Sequence, residues 1–227
     1  MGSPMGMKDY LKPLIHAFES NGNPERAAGA RKYLKNQFDF LGLAAMDRRQ
    51  LMKDFFREHG YPRPAELREF SLCLWNLPER EYQHTAVDTL RKMAKKLERE
   101  DIQWIETLIR EKSWWDTVDG LASWIVGAYF RRYPEQIPPV TERWMKSGNM
   151  WLQRTCLLFQ LNYRETTDTA LLTIFIEKLA GHRDFFIRKA IGWILRQYSK
   201  TDKEWVRSFI DAHELSGLSV REGSKYL

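Results

Sequence analysis

Apolar residues recur at intervals of three and four along most of the chain. Phe186, Ala190, Trp193 and Ile194 form one such run, and Leu171, Ile174, Phe175 and Leu179 another. That spacing gathers one buried face on a helix. No segment alternates apolar and polar positions as a strand would, and Asn21-Gly22-Asn23 reads as a helix-to-helix turn. Helix starts carry their usual chemistry. Asn23-Pro24-Glu25 places a capping Asn before a proline at the first helical position, and Leu77-Pro78-Glu79 repeats the pattern without a strong cap. Asp168, Asp184 and Asp202 each precede a periodic run and read as N-caps or first-turn acids. The pattern predicts an all-α chain of about a dozen short helices with brief loops.

The helices also repeat. Four segments align without gaps at their starts: Glu81–Val87, Trp114–Gly120, Trp151–Leu157 and Phe185–Ile191. Their fourth residues, His84, Thr117, Arg154 and Arg188, are 33, 37 and 34 positions apart. A period of this length predicts helix pairs stacked as an α-solenoid of HEAT-like type, with a concave face for binding. The tetratricopeptide signature is absent.

The sixth column of the alignment holds Ala86, Asp119, Cys156 and Ala190. Three small residues mark a close-packed position, and the fourth is a carboxylate. An unpaired buried carboxylate costs several kcal/mol, so this Asp calls for a specific reason. It is either paired or capping at a distorted repeat, or aimed into the concave groove. Trp115 lies one turn before it on the same face. Trp193 occupies a column that elsewhere holds Thr89, Ala122 and Phe159, so its indole is also out of pattern. Arg154 and Arg188 share a column with His84, either a phosphate track or a solvated face. Trp124 reads as core.

Composition narrows the class. The 227 residues are 43% hydrophobic and 29% charged, which is globular. Cys73 and Cys156 form no disulfide framework and read as buried thiols in a reducing compartment. No run approaches a membrane span and no signal peptide is evident. Residues 1–6 read as a vector-derived scar or short tail, and 7–227 as a single HEAT-like repeat domain. The chain is thus expected to be cytoplasmic. The net charge of +6 divides evenly about Lys112, with 20 Lys and Arg against 17 Asp and Glu before it and 16 against 13 after. The excess favours a polyanion only weakly. The five histidines are scattered, with no HExxH and no Cys/His cluster, so no metal site is expected. GxSxG, GxxxxGK[ST] and GxGxxG are all absent.

The run Lys112-Ser113-Trp114-Trp115-Asp116-Thr117-Val118-Asp119 resembles the signature of the AlkD-type DNA alkylation repair proteins. Further matches follow in order: Tyr33-Leu34-Lys35-Asn36, Glu79-Arg80-Glu81-Tyr82-Gln83, Trp151-Leu152-Gln153-Arg154, Lys189-Ala190-Ile191-Gly192-Trp193 and Leu218-Ser219-Val220-Arg221-Glu222. The resemblance runs from about Tyr10 to Lys225, and its strength lies in the ordered set. It implies a HEAT-like-repeat alkylpurine DNA glycosylase. The catalytic carboxylate falls on Asp119, the groove tryptophans on Trp115 and Trp193, a groove arginine on Arg154 and a groove tyrosine on Tyr33. Arg188, Lys189, Arg196 and Arg48 complete the expected DNA-binding set.

The implied partner is duplex DNA carrying alkylated purines, bound by a monomer associated with a bacterial-type nucleoid. No cofactor is implied. The resemblance further implies that the enzyme grips the backbone around the lesion rather than enclosing the base. A catalytically silent HEAT-like DNA-binding module and a protein-binding scaffold are the competing expectations. The acid in the small-residue column separates the enzyme from the silent module, and a basic groove separates both from the scaffold.

Overall fold

The computed structural model describes residues 6–227, so the reading of residues 1–5 as a scar or tail lies outside the described residues. The chain is all-α. The sole extended pairing among the described residues is an isolated bridge between Asp39 and Glu79. The chain divides into two compact units between Lys96 and Leu97.

The first unit contains α1 (Met7–Ser20), α2 (Pro24–Tyr33), α3 (Ala45–His59), α4 (Leu67–Asn76) and α5 (Arg80–Met93). Asn23 caps α2 as expected, its side chain accepting from the Arg26 amide, with Pro24 at the first helical position. The expected proline start at Pro78 is displaced. α5 begins at Arg80, whose amide donates to the Asp39 carbonyl, so backbone pairing with a remote loop fixes the first turn. Buried Glu81 then ties that loop down by accepting from the amides of Leu41, Gly42 and Leu43 at 3.0, 2.8 and 3.1 Å. Gly42 has φ +86° and would drive a β-carbon into the Asn23 carbonyl, so the loop requires glycine there.

The second unit begins with α6 (Ile102–Arg110). α7 (Trp115–Gly120) then runs on through a π-helical segment, Leu121–Val126, into α8 (Gly127–Arg132). α9 (Ile137–Lys146), α10 (Met150–Leu158), α11 (Thr169–Leu179), α12 (Phe185–Tyr198), α13 (Lys203–Ala212) and α14 (Gly217–Gly223) follow. Asp168, Asp184 and Asp202 cap α11, α12 and α13 through side-chain oxygens, as their positions predict. α10 packs against α7, the π segment and α12. Gly127 lets the neighbouring backbone in: a β-carbon there would lie 2.6 Å from the Phe159 carbonyl.

The core faces are rotated slightly from the simplest periodic reading. On α11 the buried residues are Leu172, Phe175, Ile176 and Leu179, and Ile174 faces solvent. On α12 they are Ile187, Ala190, Ile191, Gly192, Ile194 and Leu195. Phe186 and Trp193 fall on the other side of the helix boundary, and that displacement creates the site. Trp124 is a second correction, being 40% exposed rather than core. Trp144 is fully buried, its Nε1 donating to Glu106 at 2.7 Å.

Candidate active site

α12 carries two stripes. Its apolar stripe joins the core. Phe186, Lys189, Trp193 and Arg196, spaced three, four and three apart, follow one helical face and open onto a cavity of about 250 Å³. Trp115 and Asp119, four apart on α7, supply another wall, and Arg154 of α10 and Phe185 complete it. The cavity lies wholly within the second unit.

Asp119 occupies its column as the repeat alignment requires. Ala86, Cys156 and Ala190 are buried at the equivalent positions. The carboxylate survives there because Arg154 meets it in a two-pronged pair. Nε donates to Oδ1 at 2.8 Å and Nη2 to Oδ2 at 2.9 Å. The side chains are 16% and 4% exposed. Arg154 Nη1 also donates to the Phe186 carbonyl, tying the first turn of α12 to the pair. Burial pushes the Asp119 carboxyl above the usual aspartate range, and the Arg154 guanidinium pulls against that rise. Two residues after Asp119 the helix widens into its π segment, and Ser123 Oγ donates back to the Asp119 carbonyl at 2.6 Å. Such π bulges are common at functional sites.

Trp114 and Trp151, which are not part of the wall, pack with Phe186 as a cluster with ring centroids 5.1 to 5.9 Å apart. The Trp114 Nε1 is buried there without a hydrogen-bond partner. Trp115 and Trp193 are half-buried, each leaving part of its indole accessible. A cavity with a carboxylate floor, aromatic walls and cations at its edge can hold a cationic or oxocarbenium-like group by charge and cation–π attraction.

Six expected site residues therefore converge on one cavity: Asp119, Trp115, Trp193, Arg154, Lys189 and Arg196. Three do not. Arg188 lies outside the wall, its Nε buried without a partner. Tyr33 ends α2 in the first unit, 71% exposed. Arg48, also in the first unit, is buried on Asp88 at 2.7 Å and hydrogen-bonded to Thr85, so a phosphate would have to displace Asp88 to reach it. Arg154 lines the cavity yet is equally committed, to Asp119.

The sequence reading missed Phe185 as a wall residue and took Phe186 for core. The signal was present: both stand directly after the capping Asp184, in the segment aligned with Trp114-Trp115. It also missed Glu222. That side chain, 7% exposed, pairs with Lys189 at 2.9 Å, Arg196 at 3.1 Å and Lys225 at 3.0 Å.

The chain matches the family described as "DNA alkylation repair enzyme" over residues 14–227. A solved structure of a "Predicted DNA alkylation repair enzyme" from Enterococcus faecalis is 35% identical, with a TM-score of 0.83, covering 91% of this chain and 96% of that one. The crystal structure of AlkD2 from Streptococcus mutans is 14% identical, with a TM-score of 0.65 over 98% and 99%, a likeness of fold. A comparison with curated proteins gives no match.

Proposed function

From the chain's membership of the DNA alkylation repair enzyme family, we propose that it is a monofunctional DNA glycosylase that hydrolyses the N-glycosidic bond of cationic N3- or N7-alkylated purines in duplex DNA. The observation that carries this reading is an aspartate in a small-residue column, held as a carboxylate by Arg154 in a cavity lined by two half-buried tryptophans.

The chemistry needs little else. A purine alkylated at N3 or N7 carries a formal positive charge, so it departs neutral and requires no general acid. As the C1′–N bond lengthens, positive charge passes to the deoxyribose. Asp119 stabilises that charge and orients the water that adds at C1′, whose proton is released as the sugar hydroxyl forms. Both carboxylate oxygens bond Arg154, and each retains a lone pair for the sugar or the water. The faces of Trp115 and Trp193 contribute roughly 0.5–2 kcal/mol each toward the cationic base and sugar.

Release of methylated purine from duplex DNA under single-turnover conditions is the test. Wild-type protein should free the base and leave an abasic site. Asp119→Asn should abolish release while binding DNA as tightly or more tightly, because one negative group leaves a basic site. Normal release by this variant rules the mechanism out. DNA binding without release by the wild type supports the silent DNA-binding module, and neither activity supports a protein-binding scaffold.

A further inference from the structure

Glu222 is the second carboxylate of the site, and it comes from a helix the chemistry does not otherwise use. Its helix, α14, lies so close to α12 that a β-carbon on Gly192 would meet the Glu222 Cβ at 2.5 Å and the Ser219 carbonyl at 3.0 Å. Ser219 Oγ fastens the contact by donating to the Arg188 carbonyl at 2.8 Å. From there one carboxylate reaches both Lys189 and Arg196, the cations on either side of Trp193, and Lys225, two residues past the end of its own helix.

The charge of the cavity wall explains why this matters. Arg154, Lys189 and Arg196 set three positive groups against Asp119 alone. A wall of charge +2 suits DNA phosphates and works against the attraction of Asp119 and the indole faces for a cationic purine or an oxocarbenium-like sugar. Glu222, immediately behind the wall, offsets one of those charges and draws Lys189 and Arg196 toward itself. Lys225, the more exposed third partner, is not part of the wall. The carboxyl is held far down, at about 2, chiefly by its bonds to Lys189 and Lys225, so it stays charged at every working pH.

We propose that Glu222 is a positioning residue that sets the selectivity of this cavity for a cationic nucleotide over a neutral one, by holding Lys189 and Arg196 back from the reacting sugar. This rests on the glycosylase reading and adds to it a residue that touches neither base nor sugar.

The test compares binding to three duplexes: undamaged, with a neutral tetrahydrofuran abasic residue, and with a cationic pyrrolidine residue at the same position. Wild-type protein should prefer the cationic duplex. Glu222→Gln should lower that preference roughly tenfold, because affinity for the pyrrolidine duplex falls while undamaged duplex is bound as well or better. Local misfolding would weaken all three together. Glu222→Asp, which keeps the charge, should retain most of the preference. Glu222→Gln/Lys189→Gln, which removes one charge of each sign, should return it to the wild-type value, and this double variant carries the test if the single one does not fold. An unchanged preference in folded Glu222→Gln overturns the proposal, as does a double variant that has lost it. Wild-type protein that releases no methylpurine and shows no cationic preference fails the glycosylase reading and the proposal together. Release and preference in the wild type with no effect of Glu222→Gln fails the proposal alone.

Discussion

At the scale of single residues, the proposed mechanism makes the Asp119–Arg154 pair the point where activity and stability meet. Excision by the proposed mechanism needs ionised Asp119, so the single-turnover rate should fall as pH drops through its pKa. Burial raises that pKa, so the acid limb should lie above the ordinary aspartate value of about 3.9. Arg154→Ala removes the group that pulls the pKa down, so the limb should move higher still. It also strands a buried carboxylate, at about 3–5 kcal/mol of stability. A pH–rate profile of the variant with its limb unmoved would dissociate Arg154 from the carboxylate's ionisation. The tryptophans separate on the same logic. Trp144→Ala should cost roughly 3–5 kcal/mol. Trp115→Ala and Trp193→Ala should cost clearly less, because both indoles are part-exposed, and still depress excision. Melting temperatures paired with excision rates decide this, and stability losses matching Trp144→Ala would return both rings to the core. Asp119 and Trp193 were legible in the sequence because each violates a column of the repeat. Glu222 was not. Its partners in the cavity wall, Arg196 and Lys189, are 26 and 33 positions away on another helix, and no periodicity records a pairing of that kind.

At the scale of helices, local chemistry predicted starts better than faces. Asn23, Asp168, Asp184 and Asp202 cap through their own side chains, so a few residues contain the whole signal. The faces of α11 and α12 depend on what packs around them. On α12, periodicity alone joined Phe186 and Trp193 to the core stripe, whereas the true core runs through Ile187 and Ile191. The contact of α14 with α12 is the element-scale feature with most at stake. Gly192→Ala should push the helices apart and cost roughly 1–3 kcal/mol by overpacking. Glu222 adds a pH signature. Its folded pKa, about 2, lies below the unfolded value of about 4.3, so its stabilisation is complete above the unfolded value and disappears as pH falls from there toward 2. The difference in urea midpoint between wild type and Glu222→Gln should correspond to at most about 3 kcal/mol at pH 7 and close near pH 2. A difference that persists at pH 2 would mean the glutamate stabilises by packing alone.

At the scale of the whole molecule, the division into units redraws the charge. About Lys112 the net charge splits evenly, but the structural boundary falls after Lys96, where no proline- or glycine-rich linker marks it. Residues 1–96 carry 17 Lys and Arg against 12 Asp and Glu, and residues 97–227 carry 19 against 18. The positive excess, +5 against +1, therefore resides on the unit that lacks the candidate active site. Part of it surrounds a cavity of about 300 Å³ whose wall includes Arg49, Lys53, Lys92, Tyr61 and Asp88. Arg49 shares Asp88 with buried Arg48. Lys53 and Lys92 form no ion pair among the described residues, and Lys92 Nζ instead donates to the Tyr61 hydroxyl at 2.6 Å. Unpaired cations are the ones available to phosphates, and each phosphate contact adds close to one unit of slope to the dependence of log affinity on log salt. Duplex binding should accordingly be salt-dependent and indifferent to sequence. Lys53→Gln/Lys92→Gln should weaken binding to every duplex and flatten the salt slope by about one to two. Its single-turnover excision rate at saturating protein should stay at the wild-type value, because neither lysine lines the cavity of Asp119. Titrations across a range of salt concentrations, with the excision rate measured on the same preparations, separate these effects. An unchanged slope would remove Lys53 and Lys92 from the DNA contact, and a fall in the saturated rate would tie the basic unit to the chemistry itself.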